Sequence, residues 1–224
     1  MRPDLVDRLR RRAIEELDPA DAYAAWAPSY PPRAHNALMA LEERAVVARL
    51  PDVAGRTALD LACGSGRYAA ILRRRGARLV IGLDRSPEML ARARGIVQGA
   101  VRGDLPALPV RDGSIDVTVC GLAIGDVGEL GQVVAAVARA LRPGGVVVYS
   151  DLHPRGAAAG WQRTFEAGGR RLAVRHHRHL LAAHVAACRA AGLVIEAVDE
   201  PAIEFEHEFR GWPAALVVSA RKPA

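Results

Sequence analysis

The stretch Leu59-Asp60-Leu61-Ala62-Cys63-Gly64-Ser65-Gly66-Arg67 constrains the fold more than any other part of the chain. An apolar strand runs into an acidic residue and then into a turn of small residues. The next apolar run, Leu79-Val80-Ile81-Gly82-Leu83, stops at a second acid, Asp84. A backbone almost bare of side chains can pass close beneath a ligand. A carboxylate at the tip of the neighbouring strand can accept hydrogen bonds from two vicinal hydroxyls, as a ribose offers. The two runs together predict a nucleoside-binding crevice at the carboxyl edge of a parallel sheet.

Strand and helix patterns alternate through the rest of the chain, as a doubly wound α/β sheet with helices on both faces requires. Strands are predicted near 57–61, 79–83, 97–101, 115–120, 146–151, 193–198 and 214–220. Helices are predicted near 4–18, 37–50, 66–75, 87–94, 129–141 and 179–191. Ser86-Pro87-Glu88 is a helix start, with serine as cap and proline in the first turn. Gly144-Gly145 ends the helix that Leu141 finishes. Asp18-Pro19-Ala20-Asp21 reads as a break after the first helix. Residues 23–36 hold three of the ten aromatics and three of the fourteen prolines. Residues 152–178 fit no regular pattern. Both segments are expected as lids, because loops above this edge of such a sheet meet the substrate. The whole chain, 1–224, is expected to form one domain, with a helical lid over 1–50 and a substrate-loop insertion over 152–178.

Half of the 224 residues are apolar but only 4% are aromatic, so the core must be aliphatic. No apolar run reaches the ~18 residues that a membrane span needs, and the first residues form no apolar signal segment. Cys63, Cys120 and Cys188 are odd in number and widely spaced, which suits free buried thiols in a reducing cytoplasm. The net charge of +6 raises the question of nucleic acid. Lys222 is the one lysine, however, and the arginine clusters at 10–12 and 73–75 lie in helical patterns. Solvated helix faces account for them, so neither nucleic acid nor a membrane is the expected partner. A monomer or homodimer acting on a small molecule is expected.

Gly64-Ser65-Gly66-Arg67-Tyr68-Ala69 also fits the loose dinucleotide pattern G-x-G-x-x-G/A, a weak signal alone. Asp60 at the mouth of the loop would repel a pyrophosphate but suit an amino group. Asp104, in Gly103-Asp104-Leu105, stands at the next strand edge, where it suits an adenine amino group. Ala140-Leu141-Arg142-Pro143-Gly144-Gly145 leads straight into the run Val146–Tyr149. With these pieces in order, the chain resembles the class I S-adenosylmethionine-dependent methyltransferases, in particular the small ubiquinone/menaquinone-biosynthesis-like type (methyltransferase type 11). The resemblance rests on 59–67, 81–90, 103–120 and 140–151. One departure is Ala62, where many relatives carry glycine; it suggests a backbone position with no need of a positive φ.

The resemblance implies a Rossmann-like seven-stranded sheet whose last two strands are antiparallel to each other. It implies S-adenosylmethionine as cofactor, S-adenosylhomocysteine as product, and methyl transfer to O, N or C of a small acceptor. On that basis Asp60 faces the methionine amino group, with a helix cap as its alternative. Gly64, Ser65 and Gly66, with Ala62, form the bare loop. Asp84 binds the ribose, Arg85 and Met89 flank the adenine, and Asp104 and Leu105 meet its edge. Cys120 and Leu122 lie under the sulfonium. Tyr23 and Tyr30 close over the cofactor and Arg33 pairs with its carboxylate, while Trp26, His35 and Trp161 wall the acceptor; the alternative for the N-terminal aromatics is that they staple a helix onto the sheet. His153 is expected to project into the pocket as a base or positioning group, with a structural loop histidine as the alternative; Asp126 is a second candidate base. His176-His177-x-His179 matches no common zinc spacing, and no metal is expected. Two other functions stay open: methylation of RNA or protein, and a non-catalytic or NAD-binding Rossmann protein.

Overall fold

The computed structural model describes residues 14–224. Thr57–Leu61 (β2) lies at the centre and is buried along its whole length, as a parallel strand covered on both faces must be. Around it run Leu79–Asp84 (β3), Gly99–Arg102 (β4), Ile115–Cys120 (β5), Leu141–Leu152 (β6), Val194–Asp199 (β9) and Ala215–Arg221 (β10). Their order is β4-β3-β2-β5-β6-β10-β9, and β10 alone runs opposite to the other six, pairing antiparallel with β6 and β9. The chain steps outward from β2 through β3 to β4, then returns to the other side of β2 at β5. That reversal makes the gap between the β2 and β5 tips the switch point where such sheets bind ligands.

Helices Ala37–Arg49 (α2), Arg67–Arg74 (α3), Pro87–Ala93 (α4), Leu130–Ala140 (α5) and Leu181–Ala190 (α7) cover the two faces. Aliphatic side chains fill both interfaces: Val46, Leu72 and Val117 on one side, Leu59, Val133 and Leu216 on the other. Local signals set the helix starts. Ser86 Oγ accepts from Met89 N at 3.1 Å, with Pro87 at the first position, and Asn36 Oδ1 accepts from Met39 N at 2.8 Å.

The parts outside the main sheet depart from expectation. Glu15–Leu17 is a strand (β1), not the end of a helix; the rest of the helix predicted over 4–18 lies outside the described residues. Asp18-Pro19 starts a helix, Pro19–Trp26 (α1), because the Asp18 carboxylate accepts from Ala20 N and proline suits the first turn. The segment 152–178 is regular after all. It contains the short helix Pro154–Ala158 (α6) and a hairpin, Arg163–Ala167 (β7) and Arg170–Val174 (β8). Gly168 and Gly169 turn that hairpin with φ of 57° and 70°, the mirror-image turn that matches strand twist. β1 joins β8 in parallel to make a second, three-stranded sheet. Trp26 of α1 stacks on Phe165 at 4.8 Å, with Ala22 and Leu172 packed around the pair.

Candidate active site

A cavity of about 650 Å³ opens above the tips of β2, β3 and β5. Its sheet-side edge is formed by Ala62, Gly64, Asp84, Arg85, Met89, Asp104 and Leu105. Asp84 is nearly buried and doubly held: Oδ2 accepts from Gly64 N at 2.8 Å and Oδ1 from Ser86 N at 2.9 Å. Burial raises its carboxyl above the usual range, and those backbone N–H groups pull the other way. Gly64 is left-handed (φ 52°), and a β-carbon there would find Tyr30 at 3.9 Å as its nearest neighbour, so the space beside the loop is open. Asp104 is exposed, its carboxylate turned back onto Leu105 N at 2.9 Å.

Ala62 corrects one expectation. Its φ is +54°, so this position does take the left-handed conformation, and a β-carbon makes it costly. Leu122, just after β5, is the other non-glycine residue of positive φ among those described (57°). It is pinned from both sides. Its N–H donates to Ser150 Oγ at 2.9 Å, and its carbonyl accepts from Arg163 at 2.7 Å. Strain at two residues lining one cavity fits a functional site held by its surroundings.

Arg163 organises the opposite wall. From β7 its guanidinium donates to the Tyr23 hydroxyl at 2.7 Å and forms a close ion pair with Asp126. Burial opposes the charge, but Asp126 and Tyr23 keep Arg163 firmly protonated. Burial raises Asp126 above the ordinary carboxylate range, and Arg163 offsets part of that. Beneath this pair, burial pushes Asp151 up to about 7, its Oδ2 has no partner among the described residues, and His176 stands 3.7 Å away. Burial lowers the His176 pKa to about 3, so that ring is neutral.

Behind α3 lies a further polar knot. Glu42 is fully buried and accepts from Arg67 at 2.9 Å, from the Tyr68 hydroxyl at 2.7 Å and from Ser150 Oγ. Nothing local in the sequence pointed to it, since its partners come from α3 and β6.

The cavity gathers many of the expected residues: Tyr23, Trp26, Tyr30, His35, Leu122, Asp126 and Trp161 line it along with the sheet-side group. Six others do not line it. Asp60 is buried and its Oδ2 accepts from Ala69 N at 2.7 Å, so it caps α3 instead of facing the cavity. Burial raises its carboxyl to about 7. Ser65 donates to the Pro31 carbonyl at 3.0 Å, Gly66 caps α3 in a left-handed conformation, and Cys120 is buried in the sheet with its thiol pushed up by burial. Arg33 is exposed away from the cavity.

His153 is the clearest correction. It caps α6, Nδ1 accepting from Arg155 N at 3.2 Å, while Nε2 meets Glu200 at 2.8 Å. The chain turns into a helix at this point, which directs the ring away from the cavity. The histidine run is also accounted for. The His176 ring lies where a side chain on Gly125 would sit, and His179 Nε2 bonds the Val127 carbonyl at 2.8 Å. Among the described residues, no group of three His, Cys, Asp or Glu is placed to hold a metal.

A wall the sequence did not suggest comes from residues 201–212. Ile203, Phe205, His207, Glu208 and Phe209 line the cavity from that side. Glutamates alternating with aromatics in Glu204-Phe205-Glu206-His207-Glu208-Phe209 were a visible signal, but one without a period that named a partner.

Comparison with known proteins agrees with this fold. A family profile described as a methyltransferase domain matches residues 59–149. An S-adenosylmethionine-dependent methyltransferase from Mesorhizobium loti, known from its crystal structure, is 31% identical with a TM-score of 0.69, over 81% of this chain and 97% of that one. An uncharacterised methyltransferase of Synechocystis is 37% identical over 44% of this chain and 48% of that protein. A malonyl-[acyl-carrier protein] O-methyltransferase of Enterobacter lignolyticus is 34% identical over 62% of this chain and 55% of that protein. The chain thus spans about half the length of these last two relatives. No helix among the described residues is long and apolar enough to cross a membrane.

Proposed function

The chain belongs to the S-adenosylmethionine-dependent methyltransferases, and we propose that it moves the cofactor's methyl group onto a small-molecule acceptor held in the cavity above β2, β3 and β5. The observation that carries this reading is Asp84 beside Gly64. Two backbone N–H groups fix the carboxylate at the cavity edge. Each of its oxygens retains a lone pair for a vicinal hydroxyl. Met89 and Leu105 supply apolar faces for a purine, and Asp104 can accept from an exocyclic amine. The same site suits a dinucleotide poorly, because the Gly64 N–H that would face a pyrophosphate is already given to Asp84.

When bound, the cofactor supplies an electrophilic methyl group on a sulfonium, whose leaving group is neutral and needs no acid. The protein's work is alignment and exclusion of water. Tyr23, Trp26 and Tyr30 cover the cavity from α1 and the turn after it, with Trp26 and Tyr30 edge to face at 4.8 Å. Residues 19–39 and 153–178 thus serve as the cover of a single catalytic domain. Asp126 is the one carboxylate on the acceptor side that also contacts the covering helix, through Arg163 and Tyr23. Raised by burial, it is the group suited to receive a proton from an acceptor hydroxyl.

Calorimetric titration tests the reading. S-adenosylmethionine and S-adenosylhomocysteine are expected to bind and NAD is not. Asp84→Ala removes two charge-assisted hydrogen bonds, a loss of about 10–100-fold in affinity for both. Unchanged affinity in a folded variant would overturn the ribose assignment.

A further inference from the structure

The acceptor end of the cavity is built unlike the cofactor end. Leu38, Met39, Leu152, Trp161, Ile203 and Phe209 line it. They belong to two small apolar clusters that share Leu38, whereas Leu83 and Leu105 at the cofactor end belong to the main core. The outer wall is preformed. Trp161 meets Phe209 edge on at 5.2 Å and lies nearly parallel to Trp212 at 6.4 Å. The Arg155 guanidinium sits 4.0 Å over the Trp212 ring. Residues 201–212 close on themselves through Ile203 N to Trp212 O and Gly211 N to Ile203 O, each at 2.8 Å. Gly156 lets the Trp161 ring lie flat on α6, since a β-carbon there would meet the ring at 2.2 Å.

Charge decides what such a chamber admits. Three arginines line the cavity. Arg67 is held by Glu42 and Glu43, and Arg163 is neutralised by Asp126. Arg85 follows Asp84 on the cofactor edge. No uncommitted arginine or lysine therefore lines the acceptor end among the described residues, and loop 201–212 contributes to the lining an acid, Glu208, beside the ring of His207, whose Nδ1 accepts from Phe209 N at 3.2 Å. An anionic acceptor would lose its hydration and find no permanent counter-charge, while an apolar body would gain the aromatic surface.

We propose that the methyl acceptor is an uncharged, largely apolar molecule, seated between Trp161 and Phe209 on one side and Leu38 and Met39 on the other, and that this wall selects it. The inference deepens the methyl-transfer reading and rests on it. The test uses binding in place of turnover. The protein is first saturated with S-adenosylhomocysteine. It is then titrated, by calorimetry and tryptophan fluorescence, with matched probes on a naphthyl and on a nonyl body, each bearing an alcohol, a carboxylate or a phosphate. The alcohols are expected to bind about tenfold or more tighter than the anions. Phe209→Ala and Trp161→Ala should each weaken the alcohols about fivefold, with the affinity for S-adenosylhomocysteine preserved. Anions that bind as well as the alcohols on either body would overturn the proposal. So would alcohols that fail to bind, or alcohol affinity intact in the Phe209 variant. Failure of S-adenosylhomocysteine to bind at the outset would strike the methyl-transfer reading itself.

Discussion

At one end of the cavity, Asp84 and Gly64 come from adjacent parallel strands and the turn between sheet and helix, joined through backbone N–H groups. At the other end, Leu38, Trp161 and Phe209 come from three distant segments and are brought together only by packing on one small apolar cluster, Leu41, Ile203 and Ala214. The first end is fixed by the main chain, so it tolerates little and can be reused for one ligand. The second is a surface of side chains on the first turn of α2, on the link between α6 and β7 and on loop 201–212, and its shape can change without disturbing the sheet. One cofactor with many acceptors is the expected consequence of building a site this way.

Glu42 is where the two ends are tied, because α2 carries it and its partners are Arg67 and Tyr68 of α3 and Ser150 of β6. Glu42→Ala leaves a buried guanidinium without its main counter-charge and is expected to cost about 3–5 kcal/mol in denaturant unfolding. An unchanged midpoint would show that the acceptor-side helix is independent of the sheet edge. The Asp84→Ala loss is the next largest, at about 1.4–2.7 kcal/mol of cofactor binding. It should leave acceptor-probe affinity alone once the cofactor site is saturated.

A pH series sharpens the contrast. Asp60 and Asp151 are both carried by burial from an ordinary carboxyl value of 3.8 to about 7. The folded protein therefore holds protons that the unfolded chain has released between about pH 4 and pH 7. This contribution is complete below that window and is lost as pH rises through it. Asp151→Asn is expected to flatten the fall in stability by about 1–2 kcal/mol across the window, read from chemical unfolding at each pH. An equally steep fall in the variant would remove Asp151 as its source. The smallest effect is at Ala62. Glycine should relieve its left-handed backbone and stabilise the protein by about 1 kcal/mol, seen as a raised Tm. A lowered Tm would mean that the methyl group's packing outweighs the strain.

The parts legible in the sequence were those whose cause is local. The run into Ala62–Gly66, the acid ending β3 and the Ser86-Pro87 cap all appear where expected, because strand period, turn chemistry and capping act within a few residues. The Gly168-Gly169 hairpin has an equally local cause, but its flanking runs are short and rich in arginine and so carry little strand signal. The misses at β1 and His153 have another origin. Glu15–Leu17 is a strand only because Leu172–Val174 offers it a partner, and His153 turns away because α6 begins there and Glu200 holds the ring.

The sequence by itself determined the doubly wound sheet, the bare turn and the two carboxylates at its tips, because periodicity and turn chemistry are properties of neighbouring residues. Only the tertiary structure decided that Asp60 caps a helix, that Arg163 pairs with Asp126 in the cavity wall, and that residues 201–212 wall the acceptor end. Those arrangements depend on which surfaces meet when distant segments pack, and that is settled by burial of apolar area and pairing of buried charge over the whole molecule.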